Sequence, residues 1–228
     1  MSTLQQIRTQ TRLLIDQTDS ANSDFSDSEL NGFVNEGARL LAPLIKWPRD
    51  RVEVQVEAGK PAYTLPVDNI LILDAYFGDV SKAGDKLPLR VLHESQMKAF
   101  RPGWLDATAD SRGRPDILIL IDRLTAVLNP TPNADESVSG KKLEIVYVFY
   151  PATLSADGDT PDLPIVYHDF LSQYGQYKCY MSKLNKPELG SSIFGQMIQK
   201  AKLLEPVVTK EFNEQSFTWG NFAGAYPE

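Results

Sequence analysis

The sequence holds one cysteine, Cys179, and only two histidines, His93 and His168. A single thiol excludes an intrachain disulfide and any cysteine-rich zinc site, and so few imidazoles argue against a histidine metal cage. No run approaches the roughly 18 consecutive apolar residues of a membrane span. The opening stretch, MSTLQQIRTQTRLLIDQTD, is broken by charges and glutamines and does not read as a signal peptide. There is no GxGxxG, no Walker A loop and no G-x-S-x-G nucleophile elbow. Basic charge is scarce as well. Lys+Arg is 23 against 30 Asp+Glu, a net charge of -7, with the acidic excess mostly between residues 47 and 162. That balance argues against a broad phosphate-binding face. What remains is a 228-residue chain with 10% aromatics and 15 prolines, the composition of a folded, loop-rich protein of one or two domains.

Periodicity divides the chain into three blocks. Leu4, Ile7, Leu13, Leu14 and Ile15 suggest a first helix, which the turn formers of residues 19–24 end. A second helix has a full start signal: Ser26 as N-cap, Glu29 as its capping-box partner, and Phe25 with Leu30 as a hydrophobic staple. Leu30, Phe33, Val34, Ala38, Leu41 and Ile45 then follow the 3.6-residue period until Trp47-Pro48. From Arg51 the period becomes two. Val52, Val54 and Val56 alternate with Glu53, Gln55 and Glu57, and short strands are expected at 62–65, 70–77, 87–92, 116–121, 125–128 and 143–150, with one or two helical turns at 94–100. Helical spacing returns at 165–184 and again from about Glu188, where Pro206 should kink or end the helix. The fold class read from this is α+β. A helical domain of residues 1–48 and 163–217 flanks an inserted small antiparallel β-sandwich or barrel of 49–162, and 218–228 forms an extended C-terminal arm. Leu30, Phe33, Leu41, Phe170, Tyr174 and Ile193 are the expected helical core.

Few residues suggest chemistry. No acidic pair lies in a hydrolase motif. Asp157-Gly158-Asp159-Thr160-Pro161-Asp162 lacks the register and final glutamate of an EF-hand and reads as a solvated turn. His168-Asp169 opens a helix, where an acid suits the positive end of the dipole. Cys179 lies among Tyr177, Tyr180 and Met181 and reads as a buried thiol. Arg101, Arg112 and Arg114 flank a loop containing Trp104. They could meet phosphate and stack a base, or form a salt-bridged loop or subunit contact, since Asp106, Asp110 and Asp116 intervene. Phe212, Phe217, Trp219, Phe222 and Tyr226 are many large apolar groups for a tail containing Gly220, Gly224 and Pro227. They could fold back on the core, or equally be interface anchors for a partner.

The ordered set from Gly113 to Asp169 carries a resemblance. A strand, Ile117–Ile121, leads into Leu128-Asn129-Pro130-Thr131-Pro132-Asn133. The strand Leu143–Tyr150 and Pro151 follow, then Leu154-Ser155, an acidic loop, Leu163-Pro164 and Tyr167-His168-Asp169 at a helix start. With the paired N-terminal helices, this resembles the head-to-tail adaptors of short-tailed bacteriophages, the connector or tail tubular protein A family. The resemblance implies a structural virion protein without catalytic residues or cofactor. It implies a ring of subunits, twelve-fold in the family, that binds the portal and carries the tail nozzle. It further implies that DNA is passing cargo during ejection, that there is no membrane partner, and that assembly takes place in the host bacterial cytoplasm. An acidic channel would suit sliding DNA. The competing readings are a carbohydrate-binding β-sandwich, with Trp104 and the tyrosines of 147–150 as its platform, and a hydrolase using two of the acids.

Overall fold

A computed structural model of the protein describes residues 2–17, 24–79, 85–102, 104, 112–134 and 141–221, with the side chains of the last helix as far as Pro206. The chain forms two compact units, residues 1–48 with 151–228, and residues 49–150.

The first unit is helical. Helix α1 (Leu4–Leu14) starts at a capping box in which Gln6 N–H donates to Thr3 and Thr3 N–H donates to the Gln6 side chain. Helix α2 (Asp27–Ile45) starts at the Ser26–Glu29 box, and both reciprocal bonds are present. Phe25 and Leu30 share one buried cluster, as a staple requires. Lys46, in the left-handed conformation, ends α2. A 3-10 turn (Ile165–Tyr167) leads into α4 (His168–Met181), and α5 spans Pro187–Asn221. Helix α4 packs against α1, α2 and α5. Leu4, Ile7, Leu41, Tyr167, Leu171 and Met197 are among the residues of their common core. Two glycines set these spacings: a Cβ on Gly175 would lie 2.8 Å from Thr11, and one on Gly37 would lie 2.9 Å from Tyr174.

The second unit is one sheet of seven strands: β1 (Arg49–Gln55), β2 (Ala62–Thr64), β3 (Asn69–Asp79), β4 (Leu87–His93), β5 (Ile117–Leu120), β6 (Thr125–Asn129) and β7 (Lys141–Phe149). Their order is β1-β7-β3-β4-β5-β6-β2. The edge strands β1 and β2 are consecutive in sequence. The sheet therefore curls into a nearly closed, barrel-like form around Val56, Tyr63, Phe77, Leu118, Leu128 and Leu143. Helix α3 (Glu94–Phe100) lies between β4 and β5.

Four features differ from the sequence reading. The sheet is not wholly antiparallel, because β4 and β5 run parallel in the register Arg90↔Ile117 to His93↔Leu120. A parallel pair needs a crossover, and α3 with the following segment supplies it, burying Met97 and Trp104 against Ile117 and Ile119. Second, Pro151–Asp162 groups with the helical unit. Leu154 is buried in the helical core and exchanges two hydrogen bonds with the Asn35 side chain, at 2.9 and 2.8 Å. Third, α5 carries Pro206 within it and continues to Asn221, so residues 218–221 are helical and not extended. One proline removes a single ladder donor, which a helix of this length absorbs. Fourth, Leu13 is 58% exposed and Leu14 is also exposed, because the inner face of α1 is built from Leu4, Ile7, Arg8, Thr11 and Arg12. Of the expected core, Leu30, Leu41, Phe170 and Tyr174 are buried, while Phe33 and Ile193 are half-buried.

Candidate functional site

The β unit contains a groove of about 640 Å³ where its sheet splits. Strand β3 pairs with β4 only at Ala75–Phe77. Among the described residues, its earlier part pairs with β7 alone, through two register shifts between Asn69 and Asp74. Each bulge adds a residue and turns the strand, so β3 leaves β4 there. On the far wall, Val91–His93 of β4 pair with β5 and not with β3. The groove is lined by Ile70, Leu71, Ile72 and Leu73 from β3 and by Leu92 and Leu120 opposite, with Asp122 and Arg123 at its rim. Ala75 and Phe77 are buried, but none of Ile70–Leu73 is. The sequence signal for this site is that run of four aliphatic residues without alternation. It reads as an ordinary strand unless one asks where the second apolar face goes.

The four loop candidates have different surroundings, although the Trp104 amide donates to the Arg101 carbonyl at 3.3 Å. Trp104 is 5% exposed and packs with Met97, Ile117 and Ile119, so its ring face is not available for a base or a sugar. Arg101 is exposed and donates to Asn129 Oδ1 at 3.2 Å. Arg114 donates to the Asp85 carbonyl at 2.8 Å and to its carboxylate at 3.2 Å, over the Phe77 ring. That guanidinium and the Asp79 amide hold the Asp85 carboxyl below its ordinary range, the amide contributing most. Arg112 is exposed beside the Gly59 turn. Arg101 and Arg114 thus tie this segment to its neighbours, and the buried Trp104 offers no face to a sugar platform. Tyr147 is buried, donates to Asp50 at 3.3 Å, and has its hydroxyl pushed up to about 12, by burial first and then by Asp68 and Asp50.

In the helical unit the titratable groups hold elements together. The carboxylate of Asp159 accepts from the amides of Ser155 and Ala156 at 2.7 and 2.8 Å, which hold it below its ordinary range. Asp157 accepts from Arg8 at 2.7 Å. The carbonyls of Asp159 and Asp157 receive the first amides of α1, from Leu4 and Gln5. The acidic loop is therefore a cap for α1 that the chain's own donors occupy. Arg12, also buried, donates to Asp27 at 2.6 Å and to the Phe25 carbonyl at 3.0 Å. Sequence reasoning missed both arginines, although their i, i+4 spacing from Leu4 and each other puts them on the buried face. His168 is buried, with Nε2 donating to the Leu163 carbonyl at 2.9 Å and Nδ1 accepting from Ser2 N–H at 3.2 Å. Cys179 is fully buried and burial pushes its thiol up to about 12, a structural and not a nucleophilic state. Among the described residues no group of acids, histidines and cysteine has the arrangement of a metal site.

Phe212, Phe217 and Trp219 fall in the last turns of α5, and Phe222 and Tyr226 lie outside the described residues. A helical unit is interrupted by a small curled sheet, and the ionisable groups described above tie its elements together. The chain belongs to the SU10 adaptor protein family, phage head-tail adaptors, which it matches over residues 2–207. The match takes in nearly the whole chain and both units, and it agrees with the class that the Gly113–Asp169 resemblance implied. No curated protein matches the sequence.

Proposed function

We propose that this protein is the non-enzymatic adaptor between portal and tail in a short-tailed phage. Its subunits form a ring, twelve-fold as in the resembling family, with the portal on one side and the tail nozzle on the other. DNA passes through the channel as cargo, and assembly takes place in the host cytoplasm. The observation that carries this reading is the family match over residues 2–207, which includes the helical frame and the β insert alike. The net charge of -7 supports a channel that repels phosphate and lets DNA slide.

The attachment segment in this reading is the C-terminal part of α5 with the residues beyond it. Phe212, Phe217, Trp219, Phe222 and Tyr226 act there as anchors on the portal. The test mixes purified subunit with portal rings and follows mass by light scattering and shape by negative-stain imaging. Rings seated on portal are expected. A subunit that stays monomeric and ignores portal would overturn the reading. Deleting 213–228 should leave the melting temperature nearly unchanged and abolish portal attachment. A truncated subunit that still docks with full affinity would remove the segment from the interface.

A further inference from the structure

We propose that the outer faces of α1 and α5 are the two halves of one contact between copies of this chain. Helix α1 of each copy lies against α5 of the next, with the same ends of the two helical units together.

The first observation is placement. Helix α4 meets α1 through Ser172, Gly175 and Gln176. Ser172 Oγ donates to the Ile7 carbonyl at 3.3 Å, a Cβ on Gly175 would lie 2.8 Å from Thr11, and Gln176 Nε2 donates to the Leu14 carbonyl at 3.0 Å. It meets α5 through Tyr174, Tyr177 and Met181, the tyrosines against the Phe194 ring and Met181 against Gly190. At 3.6 residues per turn these two sets fall on opposite sides of α4. Helices α1 and α5 are therefore opposite walls of the helical unit. A contact between opposite walls is heterologous: it repeats from copy to copy, and closes into a ring where the rotation allows.

The second observation is composition. The exposed residues of α1 are Gln5, Gln6, Thr9, Gln10, Leu13 and Leu14, none of them charged, because Arg8 and Arg12 are buried. On α5 no charge occurs between Leu189 and Gln199. Each stretch is eleven residues, about 16 Å long. Helix α2, by contrast, exposes Asp27, Glu36 and Arg39. A helix face turned to water normally carries charge, and the centre of a protein interface is depleted of it.

The third observation is the charge at the ends of these faces. Helix α1 runs parallel to α4, since Ser2 N–H donates to His168 at one end and the Leu14 carbonyl accepts from Gln176 and Tyr180 at the other. Helix α5 runs antiparallel, with Gly190 beside Met181 and Glu205 acting on Tyr167. The start of α1 and residues 200–205 thus share one end of the unit. Beside α1, three carboxylates, Asp27, Asp157 and Asp159, meet two buried guanidiniums, Arg8 and Arg12, and the Asp157 side chain is still 62% exposed. On α5, Lys200 and Lys202 are exposed, and neither makes an ion pair among the described residues. At the other end α1 offers exposed Leu13, Leu14 and Asp16, and α5 offers exposed Leu189 with Lys186 and Glu188. Side by side with like ends together, Lys200 and Lys202 come to Asp157, Leu189 comes to Leu13 and Leu14, and Lys186 comes to Asp16. A two-fold pairing of α1 with α1 sets acid on acid at both ends in either orientation, so the charges select the heterologous contact. Closure into a ring rests on the adaptor reading, while the pairing of the two faces does not.

The test uses the full chain carrying Leu13→Cys with Ser192→Cys, a second pair, Thr9→Cys with Gln196→Cys, and each of the four substitutions alone. Cys179 is buried and leaves the new thiols as the accessible ones. Copper phenanthroline oxidises each protein as concentrated free chain and after mixing with portal rings, and denaturing gels read the products. A disulfide forms only where Cα atoms come within about 7 Å. At least one paired variant should give a ladder of dimers, trimers and higher multimers, and every single variant should stay monomeric. Adding K200E/K202E should slow the ladder about tenfold at an unchanged melting temperature, because both lysines are exposed. Dimers from a single variant, no ladder from either pair in either setting, or a ladder at full rate with the lysines reversed each overturns the proposal. A ladder without portal binding would sink the adaptor reading and leave the contact standing; portal-seated rings without a ladder would sink the contact alone.

Discussion

The separation of α1 from α4 depends on one missing carbon. A Cβ on Gly175 would meet Thr11 at 2.8 and 2.9 Å, in a core where neither helix can retreat without opening a gap. Gly175→Ala should therefore destabilise by about 1–3 kcal/mol in urea unfolding. Gly32 is the control, since it lies on the same helical unit with nothing within 4 Å of its would-be Cβ. Gly32→Ala should stabilise by up to about 1 kcal/mol by helix propensity alone. The opposite signs separate close packing from backbone entropy. Leu41, at 0% exposure, tests the other limit, and Leu41→Ala should cost about 2–5 kcal/mol in the same assay. The raised Cys179 thiol predicts that alkylating reagents modify the unfolded chain readily and the native one barely, which mass spectrometry reads directly.

Among the elements, the start of α2 is the most tightly determined. The Glu29 carboxylate accepts from Lys183 at 2.7 Å and from the Ser26 amide and hydroxyl at 2.9 Å. These hold its pKa near 2, against an ordinary 4.5, with the Lys183 bond contributing most. A carboxyl held low in the folded state is protonated first in the unfolded one. Its stabilisation is full above pH 4.5 and is lost as pH falls toward 2. Melting temperatures measured across that window should drop less steeply for Glu29→Gln than for the natural chain, although the variant starts lower. This box was legible in the sequence because Ser26, Glu29, Phe25 and Leu30 are local and their spacing alone states the geometry. The Thr3–Gln6 box has the same spacing, but Leu13 and Leu14 drew the apolar stripe to the wrong face. The strands were legible individually from their period. Their pairing was not, because a parallel β4–β5 neighbour depends on where α3 and Trp104 bury, and no local pattern records that. The groove was hidden for a related reason: Ile70–Leu73 shows that a strand is there, while its lack of a partner on the β4 side, among the described residues, belongs to the two bulges. Arg8 and Arg12 are buried by carboxylates distant in sequence, Asp157 for one, which helical spacing does not show.

For the whole molecule, the helical unit is discontinuous in sequence and the β unit is inserted at one point. Arg49, the first residue of the insert, pairs directly with Val148, two residues from its end. The two crossing points between units are therefore adjacent, as tolerated insertions require. Replacing residues 49–150 by a short Gly/Ser linker should yield a folded helical unit with cooperative thermal unfolding by circular dichroism. A chain without cooperative melting would show that the two units fold only together. Charge does not follow this division: residues 49–150 carry 13 basic and 15 acidic side chains, and the helical unit carries 10 and 15.

Because entry and exit lie on neighbouring antiparallel strands, force transmitted to the insert at Pro48 and Pro151 acts across the β1–β7 ladder. The Arg49↔Val148 pair bears the load first, and the pairs out to Gln55↔Lys142 follow one at a time. This is unzipping, in which each bond breaks alone, and not shearing, in which all resist together. Pulled between residues 48 and 151 in an optical trap, the β unit should yield at low force. Pulled between opposite ends of the β1–β7 ladder, at residues 49 and 141, it should hold longer.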